Sequence, residues 1–302
     1  MKKLTSVALV AVAILATPVL TLAWDAAGHR TVAMIAWDQM TPQARARAVA
    51  LLMHGPLLAN FASLRPSEGP DAERDRGLFV NAATWADLVR NANEAWHAYN
   101  RPAWHYADFY WDVENGVAHN LPGTGPDTVN AGERIEAFRA QIADPSIPDT
   151  TKAVDLAWLL HLVGDIHQPL HCSSRVTARD PLPDGDRGGN GFLLDDHHKL
   201  HLYWDDILEE AIAPESDEDS LAYAARMAHR IEKAHPAAGA PSADVAGWER
   251  ECLHLAQTVV YDSLKRGAAP SDAYRAKALK VSEKQMALAG RRLAALLNTA
   301  LK

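Results

Sequence analysis

The sequence has 302 residues and a formal net charge of −8 at pH 7, and it becomes −10 without the two lysines at positions 2 and 3. A surface that is acidic overall repels a polyanion, which argues against tight binding of duplex DNA by a basic face. Any phosphate-bearing substrate would therefore have to be held by local cations, either bound metals or a few Arg and Lys side chains.

The N-terminus has the pattern of a secretory signal peptide. Two lysines precede an apolar run over residues 7–15, and small residues lead up to Ala23. This run is shorter than the roughly 20 apolar residues that span a bilayer. We expect cleavage after Ala23, export to the periplasm or the medium, and a mature chain that begins at Trp24; an uncleaved N-terminal anchor is the alternative.

Residues 24–302 contain no linker rich in Gly, Ser or Pro, which favours a single domain without a membrane anchor. Apolar residues recur at intervals of three and four, which predicts an all-α fold. Helices are predicted over residues 29–40, 42–53, 132–142, 152–167, 220–234, 243–265 and 271–301. Gly, Pro and Asp predict loops over residues 56–76, 115–128 and 175–191.

The chain has only two cysteines, Cys172 and Cys252. In an oxidising compartment an exposed free thiol is a liability, so we expect one disulfide between them. Two buried free thiols are the alternative.

The strongest chemical signal lies in residues 158–171, WLLHLVGDIHQPLH. His161 and Asp165 are four residues apart in an otherwise apolar helix, so their side chains point the same way. Burying them among leucines costs several kcal/mol unless something pairs with them. Pro169 then turns the chain so that His171 can return to the same place. A metal ion is one such partner, and a simple buried His–Asp hydrogen bond is the alternative.

Further candidate ligands occur in short, aromatic-rich contexts: Asp87, His105 and the pair His201 and Asp205. Each alone is more typical of a packed core residue. Together they offer His nitrogens and carboxylate oxygens without paired cysteines, which is the ligand chemistry of zinc in a hydrolytic site.

With these motifs the chain resembles the S1/P1 nucleases. The matching pieces are WDAAGHR from Trp24, WADLVR around Asp87, WHYAD around His105, HLVGDIHQPLH from His161, and GGN followed by HLYWD. Five matches in the right order cover nearly all of the mature chain. The resemblance implies a mainly helical domain, of the type shared with bacterial zinc-dependent phospholipase C, with a trinuclear zinc site at the base of a cleft.

The resemblance also implies the ligand sets. Asp87, His105, His161 and Asp165 would hold one zinc; His171, His201 and Asp205 a second; and His29, Asp165 and Trp24 a third. Asp165 would bridge two metals. Trp24 would contribute its backbone amine and carbonyl, which requires that it be the first residue, because a peptide nitrogen cannot replace a free amine.

In the family's mechanism, water activated between zinc ions attacks phosphorus in line and leaves 5′-phosphate products. Asp87 would orient the nucleophile, and Arg90 would contact the phosphate. Tyr106 and Asp108 would receive the base next to the cleaved bond, which predicts single-stranded DNA and RNA as substrates. An ordinary surface salt bridge for Arg90 and a core position for Tyr106 are the alternatives.

Some features depart from the family pattern. Lys199 stands where relatives often carry Asn, and His197 and His198 precede His201, which we retain as the ligand because Asp205 follows it at the right distance. His167 points to another side of its helix, so we expect a structural or ligand-supporting role. Residues 195–198 are predicted to form a solvated loop.

Three functions remain at this stage: a nuclease with 3′-nucleotidase as a further activity, a phospholipase C or other phosphodiesterase, and a non-enzymatic zinc-binding protein. Asp205 favours the first over the second, since the phospholipases resemble this pattern but carry Glu there. Ligand sets without thiolates leave coordination positions open for water, which argues against a purely structural metal. We expect a monomer.

Overall fold

Helices account for most of the chain that the structure, a computed structural model, describes, namely residues 24–123, 125–195 and 198–302. The predicted signal peptide, residues 1–23, lies outside the described residues. The α-helices are α1 (Ala26–Gln39), α2 (Pro42–Met53), α3 (Asp71–Ala82), α4 (Trp85–Leu88), α5 (Ala131–Ala143), α6 (Asp149–Asp165), α7 (Leu200–Asp205), α8 (Ile207–Ala211), α9 (Ser220–Ala234), α10 (Val245–Leu255) and α11 (Asp272–Ala300). The predicted all-α class is confirmed.

Helix α6 lies in the centre of the core because its sequence is apolar on nearly every face. Every residue from 155 to 170 is buried. The ring of Trp158 packs against Trp104 and Trp85, with centroids 4.9 and 6.3 Å away. Helix α1 packs against α6 on one side and α11 on another. The polar pair near the end of α6 is therefore enclosed by apolar helices.

A small sheet of three strands, β1 (Phe109–Glu114), β2 (Val117–Asn120) and β3 (Ser173–Arg175), accompanies the helices in the described residues. Strands β1 and β2 form an antiparallel hairpin, and β3 pairs parallel to β1. The hairpin turns at Asn115 and Gly116, whose φ angles are 51° and 80°, as a tight two-residue turn requires. The loop predicted over residues 115–128 is therefore wrong at β2.

The predicted loop over residues 56–76 is also wrong at its end, because α3 begins at Asp71. Asp71 and Glu73 lie in the first turn of that helix, where negative charge is favourable. The single helix predicted over residues 243–265 is instead α10 followed by a π-helical turn, Ala256–Val260.

Cys172 and Cys252 form a disulfide with their Cα atoms 5.8 Å apart, which confirms the predicted pairing. It joins the turn that carries His171 to helix α10. Within the described ranges, no helix is long and apolar enough to cross a membrane.

Candidate metal centre

Eight of the predicted ligands form three groups, and in each group the candidate ligand atoms lie within 4.8 Å of one another. We call these group A (His29, His161 and Asp165), group B (Asp87, His105 and His161) and group C (His171, His201 and Asp205). The structure thus brings every side chain that the sequence proposed as a ligand, including His29 on α1, into one of the three groups. His161 belongs to groups A and B.

Asp165 lies between groups A and B with one carboxylate oxygen directed to each. Its Oδ1 is 3.3 Å from His29 Nε2, while its Oδ2 is 3.0 Å from His105 Nδ1 and 3.3 Å from His161 Nε2. Gly164 permits this arrangement, since a Cβ there would lie 2.7 Å from His29 Nδ1. The geometry suits a carboxylate that bridges two ions.

Backbone carbonyls orient three of the imidazoles through Nδ1. His161 Nδ1 lies 2.8 Å from the carbonyl of Ala83, His171 Nδ1 2.7 Å from that of His105, and His201 Nδ1 2.6 Å from that of Gly188. Because a carbonyl can only accept, each Nδ1 must carry the proton and donate it. The lone pair of each Nε2 is then directed into a group, as a metal ligand requires.

The groups contain buried polar atoms that make no hydrogen bond with the described residues. These atoms include His29 Nε2, Asp87 Oδ1, Asp165 Oδ1, His171 Nε2, His201 Nε2 and Asp205 Oδ2. Leaving such groups buried without partners is costly, and cations at the three positions would satisfy them. Nitrogen and carboxylate donors without thiolates fit zinc.

The pKa values of the candidate ligands also favour bound cations. Burial lowers the pKa of His29 to about 3 and that of His201 to about 4, so both imidazoles are neutral at pH 7. Burial also raises the pKa of Asp87 to about 8 and holds that of Asp165 well above its usual range. Buried carboxylates of this kind bind a proton unless a cation compensates their charge.

Trp24 is fully buried beside group A. Its indole donates a 3.0 Å hydrogen bond to the carbonyl of Gly164. The amide of the next residue, Asp25, donates a 3.1 Å bond to the carbonyl of Asp205 in group C. The side chain of Trp24 therefore contacts the residue before Asp165, and the backbone of Asp25 contacts a residue of group C.

The predicted substrate residues surround the groups. Arg90 Nε is 3.2 Å from Asp87 Oδ1, and both side chains are at most about one-tenth exposed, so this is not a surface salt bridge. Tyr106 stacks on His171 with ring centroids 4.8 Å apart. Tyr106 and Asp108 line a cavity of about 410 Å³. Asp108 Oδ1 is buried without a hydrogen bond from the described residues, and burial raises the pKa of this carboxyl to about 8.

Sequence reasoning missed Gln168, which is fully buried and donates a 2.6 Å hydrogen bond to Asp205 Oδ1. The signal in the sequence was the polar side chain of Gln168 within an otherwise apolar motif that carries the candidate ligands. His167 contacts the carbonyl of Val163 and Arg292 Nη1 at 2.7 and 2.8 Å, so it links α6 to α11. Of the predicted loop, Asp195 and His198 are partly exposed, while Asp196 and His197 lie outside the described residues.

Comparison with known proteins identifies the family of this chain. The S1/P1 nuclease family model matches residues 24–302. Nuclease P1 of Penicillium citrinum is 24% identical over 233 residues, which are 74% of this chain and 71% of that protein. Nuclease S1 of Aspergillus oryzae is 27% identical over 231 residues, 74% of this chain and 67% of its own length. Endonuclease 3 of Arabidopsis thaliana is 31% identical over 160 residues, 47% of this chain and 50% of its own. The chain therefore belongs to the S1/P1 nuclease family, whose members are zinc-dependent hydrolases of phosphodiester bonds.

Proposed function

We propose that this protein is an exported endonuclease that hydrolyses single-stranded DNA and RNA to 5′-phosphate products, with 3′-nucleotidase as a further activity. The observation that carries the proposal is the position of Tyr106, which stacks on His171 of group C and also lines the cavity that contains Asp108. A planar base bound there would lie directly beside the metal centre. Such a base must be unstacked from its neighbours, which a single strand allows more readily than a duplex.

Three zinc ions are proposed, one for each group, with Asp165 shared between the ions of groups A and B. When bound, zinc supplies a Lewis acid and lowers the pKa of coordinated water. The donors of the chain prepare this chemistry because carbonyl contacts fix the His161, His171 and His201 tautomers before any ion arrives.

Asp87 and Arg90 form the polar wall next to these groups. The 3.2 Å contact with Asp87 directs the Arg90 guanidinium towards the centre. Arg90 can then donate hydrogen bonds to phosphate oxygens as negative charge develops on them. Asp87 is placed to orient the attacking water.

Asp108 is proposed to recognise the base edge. Because burial raises the pKa of its carboxyl to about 8, this group carries a proton at neutral pH. A protonated carboxyl both donates and accepts a hydrogen bond, so it can pair with a donor–acceptor edge of a base.

Replacing Tyr106 by Ala should raise KM by about tenfold at unchanged zinc content, because stacking on an aromatic ring stabilises a bound base by about 1 to 3 kcal/mol. An unchanged KM for short oligonucleotides would remove Tyr106 from the pocket.

Trp24 is proposed to become the first residue after the leader is removed, and its free amine to complete group A. The buried indole and the Asp25 contact with Asp205 hold this backbone next to both groups. A disulfide between Cys172 and Cys252 suits an oxidising compartment. A protein with one additional residue before Trp24 should bind one zinc fewer than the protein that begins there.

One assay tests the proposed reaction. The zinc-loaded protein beginning at Trp24 is incubated with single-stranded DNA, RNA, the matching duplexes and phosphatidylcholine vesicles, and the phosphorylated end of each product is identified. We expect cleavage of both single strands with 5′-phosphate ends. Products with 3′-phosphates, or release of phosphocholine without nucleic acid cleavage, would contradict the proposal. The same protein stripped with a chelator is the control.

A further inference from the structure

Two cations share a cavity with the proposed base-binding residues. The cavity that Tyr106 and Asp108 line is also lined by Arg187 and Lys199, together with Tyr110, Asp184 and Asn190. Within the ranges 24–123, 125–195 and 198–302, neither cation takes part in any of the ion pairs found. The chain as a whole has a net charge of −8, whereas this cavity is lined by as many cations as carboxyl groups, the latter from Asp108 and Asp184.

The backbone conformation at Arg187 fixes where its side chain begins. Its φ is 51°, in the left-handed region that residues with a side chain rarely adopt. Its amide donates to Ser174 Oγ at 3.1 Å. The carboxylate of Asp186 accepts a 3.2 Å bond from the amide of Gly189 and so closes the turn. Strain of this kind persists where the surroundings fix the backbone, which occurs most often at ligand sites.

Both cations are connected through the backbone to group C. Arg187 directly precedes Gly188, whose carbonyl holds His201 Nδ1 at 2.6 Å. Lys199 precedes His201 by two residues, and its carbonyl accepts the first bond of α7, from the amide of Tyr203 at 3.0 Å. The two cations are therefore held near the metal centre while they face the cavity instead of the groups.

The cavity has no group A, B or C residue in its lining. The reacting phosphate would lie at those groups, where Arg90 already provides a guanidinium beside Asp87. A separate pair of cations in the base cavity is thus suited to a second phosphate. A nucleoside within a strand carries two: one at its 3′ oxygen and one at its 5′ oxygen.

We propose that Arg187 and Lys199 bind the phosphate on the 5′ side of the nucleoside whose base occupies the cavity. This subsite rests on the proposed nuclease function and extends it by naming a preferred substrate class. Strands and 5′-phosphorylated oligonucleotides are then favoured over substrates that lack a phosphate at this position. Charged hydrogen bonds to phosphate oxygens supply the recognition.

The test compares the deoxyadenosine dinucleotide with and without a 5′-phosphate. For the zinc-loaded protein that begins at Trp24, kcat/KM should be about tenfold higher with the phosphate, a modest ratio because Arg187 is exposed and Lys199 half-buried. The ratio should fall to near one in a variant with Arg187→Asn and Lys199→Gln. Asn is chosen because it tolerates a left-handed backbone.

Arg179→Asn is the matched control, because Arg179 is exposed in the same segment but does not line the cavity; it should keep the full ratio. Zinc content is measured in every variant, since Arg187 adjoins the residue that holds His201. A double variant with the ratio of the unchanged protein would overturn the subsite, including when both dinucleotides are cleaved more slowly, because an equal loss places the cations on the reacting phosphate.

A binding measurement separates this inference from the nuclease proposal. If the protein cleaves neither dinucleotide, the proposed function fails, and the dissociation constants of the same two dinucleotides still decide the subsite. Tighter binding of the phosphorylated form, lost in the double variant, supports it, and equal constants refute it. The difference should shrink as salt is raised from 0.05 to about 0.5 M, because screening weakens contacts of exposed charges.

Discussion

The two halves of the metal centre are built differently. Groups A and B share His161 and lie around the core helix α6, with Asp165 reaching both. Group C shares no residue with them, and its members come from a short turn and from α7. It is held from outside by the Gly188 carbonyl, by Gln168 and by a disulfide. Because groups A and B share side chains, the loss of one side chain should affect both groups. Group C has its own supporting contacts, so it can lose its ion while groups A and B keep theirs.

The largest effect should come from Asp165→Asn. Both oxygens of Asp165 face ligands in groups A and B, so the protein should lose two zinc ions. Activity should fall by about a hundredfold or more, because residues that only support a ligand already contribute about 10- to 100-fold. Metal analysis measures the count. Asp155→Asn on the same helix, also a buried carboxylate, should keep all zinc. Loss of a single ion from Asp165→Asn would show that the two groups are not coupled.

Replacing Cys172 and Cys252 together by Ser should lower the free energy of unfolding by about 4 kcal/mol, because the bond closes a loop of 80 residues. Denaturant unfolding checks this value. Because Cys172 follows His171, zinc in group C should also be released at lower chelator concentration than zinc in groups A and B. Equal release from all groups would mean that group C does not depend on this link.

Gly188→Ala should destabilise the protein and empty group C. A Cβ there would lie 2.4 Å from the carbonyl oxygen of Leu170, and the φ of 60° alone costs a side chain roughly 1 to 2 kcal/mol. Gly267→Ala is the control, since its φ is 72° but nothing lies within 4 Å of its Cβ. The control should show only the backbone cost. If both variants bind the same amount of zinc, the Gly188 carbonyl does not position His201.

The smallest effect is expected for Gln168→Ala, which removes the 2.6 Å hydrogen bond to Asp205. Partners that orient a ligand typically contribute about tenfold or more to metal affinity. A competition titration with a zinc chelator should show that group C binds zinc about tenfold more weakly, while the zinc affinity of groups A and B is unchanged. A change in the other groups would indicate that Gln168 acts through general stability.

Part of the grouping of the candidate side chains could be predicted because spacing on a helix fixes direction: His161 and Asp165 are four residues apart and share a face. Their partners could not, since the carbonyls of Ala83 and Gly188 reach the imidazoles only after distant segments have folded. The β-hairpin was predictable in principle. Asn115-Gly116 between β-forming residues is a strong signal for a hairpin turn. The Gly and Asp residues that follow favoured a loop over the whole segment instead.

We propose that this chain holds three zinc ions, one in each group, and that Trp24 must be the first residue for the complete set to bind. Diffraction from crystals of the protein beginning at Trp24, recorded on both sides of the zinc absorption edge, locates each ion directly. We expect three anomalous peaks, at groups A, B and C, with the peak at A next to the Trp24 nitrogen and the Asp165 carboxylate between A and B. Fewer than three peaks in zinc-saturated crystals, or a peak at group A remote from the Trp24 nitrogen, would contradict it.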